Sequence, residues 1–212
     1  MKLATMRDSK SRAARLEGSS PSPGTVNLKT LAYITGVAIG DGNLSNPNGR
    51  AVRLRISCDL KYPNLIVKFS QAIKELLPNN KISFIPRKSR CLDISCYSNK
   101  WETWLNWKWD KGSKDAQSVT IPSWIKENNE FARRCVRGLF ETDGSLYKDR
   151  GYLMANFVTI IPELAKDVVE LITLFGFNAR IYRIKTKRKT RYNIRISKDT
   201  EKFIEFFDLH KS

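Results

Sequence analysis

Histidine, cysteine and acidic residues are scarce in this chain of 212 residues. The sequence holds one histidine, His210, four cysteines, and 21 acidic residues against 38 basic ones. A nuclease or hydrolase that depends on a histidine base is disfavoured, because His210 lies at the end of the chain, where fraying is expected. The cysteines show no paired metal-ligand spacing, which disfavours a structural zinc site and favours reduced thiols in an intracellular protein.

Long apolar segments are also missing. No apolar run approaches the length of a membrane span and no secretory signal is visible, so membrane and secreted classes are disfavoured. What the chain does carry is positive charge, a formal net charge of +17. This is more than solubility requires, and it predicts a polyanionic partner, most simply nucleic acid, with an anionic membrane surface as the weaker alternative.

One short motif occurs twice, as Gly-Val-Ala-Ile-Gly-Asp-Gly at residues 36–42 and as Gly-Leu-Phe-Glu-Thr-Asp-Gly at residues 138–144. Each copy follows a segment that reads as a helix. Small residues four positions apart lie on one helix face and let another backbone approach closely. The residues of these two small faces are Gly36, Gly40, Gly138 and Thr142. We therefore expect the two helices to pack on each other.

The aspartates of the motif, Asp41 and Asp143, fall at the predicted helix C-termini, where the helix dipole disfavours negative charge. If the helices pair, the carboxylates meet at one end, and each makes the other harder to ionise unless a cation lies between them. Asp-Gly is a common turn dipeptide, but two copies in matched contexts favour a metal site over two unrelated turns. The glycines that follow, Gly42 and Gly144, are expected to end the helices in the left-handed conformation.

The segments 31–42 and 135–144 resemble the paired signature of the LAGLIDADG homing endonucleases, in the single-chain, two-repeat form. In the first copy, Ile39 stands at a position where an acidic residue is frequent in that signature. In the second copy, Glu141 provides the acidic residue at that position. The resemblance covers about residues 27–209. It implies a monomer that hydrolyses one phosphodiester on each strand of a long, asymmetric, pseudo-palindromic DNA target.

The resemblance also implies a divalent-metal centre with two or three Mg²⁺ ions. Mn²⁺ is expected to substitute for Mg²⁺, and Ca²⁺ to bind without cleavage. The residues expected to hold the ions, the last two through backbone carbonyls, are Asp41, Asp143, Gly40 and Thr142. A basic side chain near the metals would polarise water or stabilise developing charge. The sequence-based candidates for this catalytic role are Lys185 and Lys187.

Two other interpretations stay open. A LAGLIDADG-like intron maturase or regulator would keep the fold and bind nucleic acid, its own intron RNA included, without essential cleavage. A basic RNA-binding protein with unrelated Asp-Gly turns is the weaker one, because the internal repeat speaks against it. Retention of both aspartates favours the enzyme, since a pure binder has no electrostatic reason to place two carboxylates against phosphates.

The chain divides into a basic, disordered tail at residues 1–26, a first repeat at 27–110, a linker at 111–121 and a second repeat at 122–212. Matched landmarks recur about every 100 residues, which indicates an internal duplication with pseudo-twofold symmetry. Each repeat reads αββαββα. The predicted fold is α+β, with two four-stranded antiparallel sheets that carry helices on one face and form a DNA-binding saddle on the other.

Alternation in the strands predicts which side chains face the DNA. In residues 52–58 apolar residues alternate with Arg53, Arg55 and Ser57, which gives one buried and one polar face. In the second repeat, Tyr182 and Ile184 are expected to face the core. The residues expected at the DNA surface, with the loop-tip cations on phosphates, are Arg53, Arg55, Ser57, Arg87, Lys88, Tyr152, Met154, Asn156, Arg183, Lys185, Lys187, Arg188, Lys189, Arg191, Asn193 and Arg195.

Overall fold

The computed structural model describes residues 26–211. The predicted tail, residues 1–26, lies outside the described residues except for Val26, which packs against the core. Within residues 26–211 no helix combines the length and the apolar character that crossing a membrane requires.

The first repeat contains three helices and four strands. They are α1 (Leu28–Asp41), β1 (Gly42–Ser45), β2 (Arg53–Asp59), α2 (Pro63–Leu76), β3 (Ile82–Pro86), β4 (Cys91–Tyr97) and α3 (Trp101–Leu105). The strands form one antiparallel sheet in the order β1-β2-β4-β3, which we call the first sheet. Pro63 begins α2, where its missing N–H has no helical partner to lose.

The second repeat follows the same plan after an additional short helix. Its elements are α4 (Ser123–Lys126), α5 (Asn129–Thr142), β5 (Gly144–Asp149), β6 (Tyr152–Thr159), α6 (Pro162–Leu174), β7 (Ala179–Lys185), β8 (Thr190–Ile196) and α7 (Thr200–Phe207). The second sheet has the order β5-β6-β8-β7, which matches the first strand for strand. The predicted duplicated α+β fold is confirmed.

Helices α1 and α5 form the centre of the molecule. Asn27 and Asn128 each cap one of them, because each side-chain oxygen accepts hydrogen bonds from two backbone N–H groups of the first turn. Residues 31–39 of α1 are all buried, since α1 packs against elements of both repeats. Trp101 and Trp104 of α3 are buried in the core and meet edge to face.

The ends of α1 and α5 differ from expectation in one respect. Gly42 has φ −81° and ψ 151°, an extended conformation, and Gly144 is not among the residues with positive φ in the described part of the chain. The predicted left-handed cap is therefore wrong. Each glycine begins a strand that folds back against its own helix, so a methyl group at either position would lie 2.4 Å from the carbonyl oxygen of Ala38 or Phe140.

Candidate active site and nucleic-acid surface

The small faces of α1 and α5 bring the two backbones into direct contact. A methyl group added at Gly36 would lie 2.1 Å from the carbonyl oxygen of Cys135, and one at Gly138 would lie 2.5 Å from that of Tyr33. Real side chains do not reach such distances from a backbone atom. The two helices thus depend on the glycines for their spacing, and their C-terminal ends lie side by side.

Asp41 is the last residue of α1, and Asp143 directly follows α5. A methyl group at Gly40 would lie 3.4 Å from Oδ2 of Asp143, so the second aspartate rests against the end of the first helix. Both residues expose surface to solvent, but the surrounding protein removes part of the hydration of their carboxyl groups. This loss of hydration, reinforced by the charge of Asp41, raises the pKa of Asp143 to about 6, and burial also raises the pKa of Asp41.

Lys114, from the segment between the repeats, reaches the end of α1. Its Nζ donates hydrogen bonds to the carbonyl oxygens of Ala38, Ile39 and Gly40 at 3.2, 2.5 and 2.5 Å. A cation at a helix C-terminus is favoured by the helix dipole. Burial lowers the pKa of Lys114 to about 8, although the two nearby aspartates act in the opposite direction.

Lys211, after the last helix, occupies the corresponding place on α5. Its Nζ donates hydrogen bonds to the carbonyl oxygens of Thr142, at 3.0 Å, and Gly144. Burial lowers the pKa of Lys211, while Asp41 and Asp143 oppose that shift. Each helix end therefore combines one aspartate with one lysine.

The donor atoms at these helix ends suit Mg²⁺. Within residues 26–211 no group of three or more His, Cys, Asp and Glu side chains is placed to hold a metal, so the protein offers two carboxylates and backbone carbonyl oxygens. Mg²⁺ is a hard cation that binds through one or two carboxylates, substrate phosphates and water. The carbonyls of Gly40 and Thr142 already accept bonds from ammonium groups, which shows that positive charge is favoured there.

The first sheet presents the predicted polar face. Arg53, Arg55 and Ser57 are partly exposed, while the residues between them are buried. In the strand register they lie opposite Tyr97, Ser95 and Asp93, so these six residues share the face that is turned away from the helices. We call this side of either sheet its outer face.

The second sheet departs from prediction in β7. Tyr182 pairs with Asn193 and Ile184 with Arg191, so both apolar residues lie on the outer face, where they are 46% and 48% exposed. The expectation that they face the core is wrong. Ile181 faces the core instead, because it pairs with the buried Ile194. Alternation alone allowed either assignment, since apolar residues occur at both parities in this segment.

The same register places two predicted DNA contacts on the inner face of β7, opposite to its outer face. Arg183 lies opposite Tyr192, and Lys185 lies opposite Thr190, so both point to the side of the sheet that carries the helices. They cannot share a face with Asn193 and Arg195, as the sequence interpretation required.

Comparison with known proteins gives matches over both repeats. A family model described as a LAGLIDADG-like domain matches residues 130–207, and one described as the WhiA LAGLIDADG-like domain matches residues 30–92. The chain contains two LAGLIDADG-like domains. In solved structures, a variant of the homing endonuclease I-DmoI superposes with a TM-score of 0.64 and 18% identity, over 87% of this chain and 98% of that chain. The N-terminal LAGLIDADG domain of WhiA gives a TM-score of 0.55 at 17% identity, over 90% and 86% of the two chains.

Curated relatives match this chain over a part of their own length. The tRNA-splicing ligase RtcB of Pyrococcus abyssi is 26% identical over 80% of this chain, and the replication factor C small subunit of Thermococcus kodakarensis is 28% identical over 86%. The chain spans about a fifth of either relative. The probable cell division protein WhiA of Lactococcus lactis is 32% identical over 42% of this chain and 28% of that protein. These matches show that this chain is similar to a segment of each relative. They say nothing about whether this chain shares the activity of a whole relative.

The outer faces of both LAGLIDADG-like domains hold polar atoms without partners. Six buried side-chain nitrogen or oxygen atoms in the described part of the chain have no hydrogen-bond partner, and four belong to the outer faces. These four are Ser95 Oγ, Asn156 Oδ1, Asn193 Oδ1 and Arg195 Nε. Because folded proteins normally pair such groups, their concentration here indicates surfaces that are completed by a ligand or by water.

Met154 and Asn156 lie on the outer face of the second domain but are largely covered. The amide of Asn156 donates to the hydroxyl of Tyr147 at 2.7 Å, and the sulfur of Met154 is 3.6 Å from Nη2 of Arg195. Tyr152 is 75% exposed. The predicted loop-tip cations are all exposed, and they are Arg87, Lys88, Arg188 and Lys189.

Sequence reasoning missed the lysines that flank the aspartates. Lys185 and Lys187 are exposed, and within residues 26–211 neither forms a hydrogen bond or ion pair with Asp41 or Asp143. Lys189, from the same hairpin, forms an ion pair with Asp115, which directly follows Lys114 in the chain. Lys114 and Lys211 are 97 positions apart, close to the period of the duplication, but among 38 basic residues that spacing does not single them out.

Proposed function

We propose that this protein is a site-specific endonuclease that cuts both strands of a long, asymmetric, pseudo-palindromic DNA duplex with Mg²⁺. The observation that carries the proposal is the convergence of Asp41, Lys114, Asp143 and Lys211 at the paired ends of α1 and α5. A pure binding protein gains nothing from carboxylates at helix C-termini, where both the dipole and DNA phosphates oppose their charge.

Each residue at the helix ends has a role that its environment explains. Asp41 and Asp143, with the carbonyls of Gly40 and Thr142, would hold the metal, which when bound orients water and stabilises charge on the attacked phosphate and the leaving oxygen. Lys114 has a pKa of about 8, close to neutral pH, which suits it to exchange a proton with the attacking water or to neutralise charge on the phosphate. Lys211 would serve the other strand in the same way.

The comparisons support DNA as the partner. Solved structures of I-DmoI hold DNA with Mn or with Ca, and this chain superposes on them with TM-scores of 0.60 and 0.61. At 18% and 19% identity that likeness concerns the fold, so the use of Mg²⁺, substitution by Mn²⁺ and inhibition by Ca²⁺ remain our proposals. Both half-sites reside in one chain, and we expect a monomer without an obligate protein partner.

The test is selection of cleaved duplexes from a randomised library in Mg²⁺, followed by plasmid linearisation on the recovered target. We expect a long target with unlike halves, cut in Mg²⁺ or Mn²⁺ and only bound in EDTA or Ca²⁺. Cleavage that survives EDTA would contradict the two-carboxylate mechanism. Failure to recover any cleaved duplex, with duplex binding intact, would contradict the endonuclease proposal.

A second candidate function is that of a DNA-binding regulator or an intron maturase without essential cleavage. The first repeat matches the WhiA LAGLIDADG-like domain, and its signature carries Ile39 in place of an acidic residue. A regulator would select a DNA sequence from the same library in EDTA and leave it uncut in Mg²⁺. A maturase would in addition bind its intron RNA more tightly than unrelated RNA of equal length.

A further inference from the structure

Asp93 is a buried carboxylate in the middle of the outer face of the first sheet. It lies on β4 opposite Ser57, and the residue is 2% exposed. An acidic side chain on a proposed DNA-binding surface repels the DNA phosphates, unless cationic side chains of the protein neutralise its charge. Asp93 was not singled out from the sequence, because a single acid in a strand carries no pattern.

Three side chains of the same surface converge on this carboxylate. The hydroxyl of Ser57 donates to Oδ1 at 2.8 Å, and Nε of Arg87 donates to Oδ2 at 2.6 Å. Nε of Arg55 lies 3.7 Å from the same Oδ2. Within residues 26–211 Asp93 is the only acidic partner of either guanidinium group.

Both arginines present Nε to Asp93, and in the part of the chain that the structure describes neither guanidinium group forms a hydrogen bond or ion pair with any other residue. The side chains of Arg55 and Arg87 keep 30% and 42% of their surface exposed, while that of Asp93 keeps 3%. A guanidinium group that is fixed at Nε still offers a pair of parallel N–H donors, the geometry that matches O6 and N7 of guanine in the major groove. Asp93 itself is too deeply buried to accept a bond from a base.

We infer that Asp93 is a positioning residue that holds Arg55 and Arg87 to read two guanines in the half-site of the first repeat. The inference rests on the proposed binding of duplex DNA and adds the bases that this half-site requires. It also revises the role of Arg87, which the sequence placed on a phosphate, because Asp93 draws that side chain onto the sheet.

The second repeat provides an internal comparison. Asn193 lies one residue before Ile194, as Asp93 lies before Ile94, and each isoleucine is fully buried in the central part of its hairpin. Asn193 has no charge, and its Oδ1 is without a hydrogen-bond partner in the described part of the chain. The position that fixes two arginines in the first sheet thus fixes none in the second.

The experiment is sequence selection from randomised duplexes in EDTA, where no strand is cut, with parent and Asp93→Asn proteins. We expect the parent to require guanine at two positions of one half-site. In Asp93→Asn we expect that preference to fall at least about fivefold at both positions, the lower end of what one bidentate arginine–guanine pair contributes. Affinity for unrelated duplexes should rise, because a negative charge has been removed.

Asp149→Asn is the matched control. Asp149 is an exposed acid on the outer face of the second sheet, 3.9 Å from Arg195, so its replacement removes the same charge from the other half of the surface. It should raise general affinity and leave both guanine preferences unchanged. Arg87→Ala should abolish one preference and keep the other, with the melting temperature measured for every variant.

The outcomes separate this inference from the proposed function. If Asp93→Asn is folded and keeps the parental guanine preferences, or if the parent selects a target without them, the inference is wrong and the proposed DNA recognition stands. If Asp93→Asn lowers the melting temperature but not the preferences, Asp93 has a structural role only, which also overturns the inference. If the parent selects no duplex sequence, both proposals fail.

Discussion

The two sheets have the same topology but different outer faces. The first is mostly polar, with Asp93 joining Arg55, Arg87 and Ser57 into one cluster, although it also exposes Ile85 and Tyr97. The second exposes large side chains beside its arginines, among them Tyr147, Tyr152, Val158, Tyr182 and Ile184. Side chains with methyl groups and rings suit contacts with the thymine methyl, whereas held arginines suit guanine. The two repeats share one scaffold while their outer faces differ, which on the proposed function corresponds to two unlike half-sites.

The helix ends show the opposite behaviour. Asp41 with Lys114 and Asp143 with Lys211 repeat the same pair of charges on the carbonyls of each helix end. Cutting two chemically equivalent strands requires the same groups twice, whereas reading two different half-sites does not. Symmetry therefore persists where the bond would be broken and is lost where the bases would be read.

The largest effect should come from removing either aspartate. Asp41→Asn and Asp143→Asn each delete a proposed metal ligand at nearly constant volume, and each should lower cleavage about 1000-fold or more, since metal stabilisation is worth several kcal/mol. DNA affinity and melting temperature should hold or rise. Plasmid cleavage, binding and melting are measured together, with Asp110→Asn, an exposed acid at the end of the first repeat, as the control. Parental rates in both asparagine variants would rule out the enzyme.

Replacing the flanking lysines should have the next largest effect and should test the symmetry strand by strand. Lys114→Met and Lys211→Met should each slow cleavage about 100-fold, as removal of a proton-transfer group does, and nicked plasmid should accumulate because one strand is affected more than the other. Each change also leaves carbonyl oxygens without a donor, so assays belong well below the melting temperature. Lys185→Met and Lys187→Met are the matched controls. If cleavage falls further in these controls than in Lys114→Met and Lys211→Met, the catalytic role belongs to Lys185 or Lys187 instead.

Glu141 offers a comparison of stability between the two signatures. It is buried at the helix interface, where it accepts bonds from Tyr33 and Lys68 at 2.5 Å and from Arg137 at 3.1 Å, while Ile39 occupies the matching place in α1. Glu141→Leu should destabilise the fold by about 3 kcal/mol, because it leaves cations without their partner. Chemical denaturation measures the effect. Ile39→Leu, a volume-conserving control, should cost less than about 1.5 kcal/mol, and an equal loss in both variants would assign the effect to packing.

The smallest effect concerns pH in the metal-free protein. The pKa of Asp143 is raised from 3.8 to about 6, so the folded state holds its proton more tightly than the unfolded state does. The stability that this group contributes is therefore lost as pH rises from about 4 to above 6. In EDTA, Asp143→Asn should remove this part of the pH dependence of the melting temperature, and Asp110→Asn should keep it. Mg²⁺ should also remove it in the parent, and an unchanged slope in Asp143→Asn would show that another group titrates.

Local patterns in the sequence determined much of this protein. The repeated Asp-Gly ends, the period of about 100 residues and the alternation in β2 predicted the duplicated α+β fold, the meeting of Asp41 with Asp143 and the polar face around Arg53. These features rest on helix and strand periodicity, which acts over a few residues and is visible in the chain itself.

Only the tertiary structure decided which other side chains accompany the two aspartates at the helix ends and the arginines on the sheets. Lys114 lies in a linker and Lys211 beyond the last helix, and only the packing of α1 on α5 and the path of these segments carry their amino groups to the helix ends. The faces of β7 were settled by its register with β8, because one residue of slip exchanges the two faces. Asp93 became significant through three side chains that strand pairing and a hairpin bring to it. Such contacts depend on distances between remote segments, which no local pattern encodes.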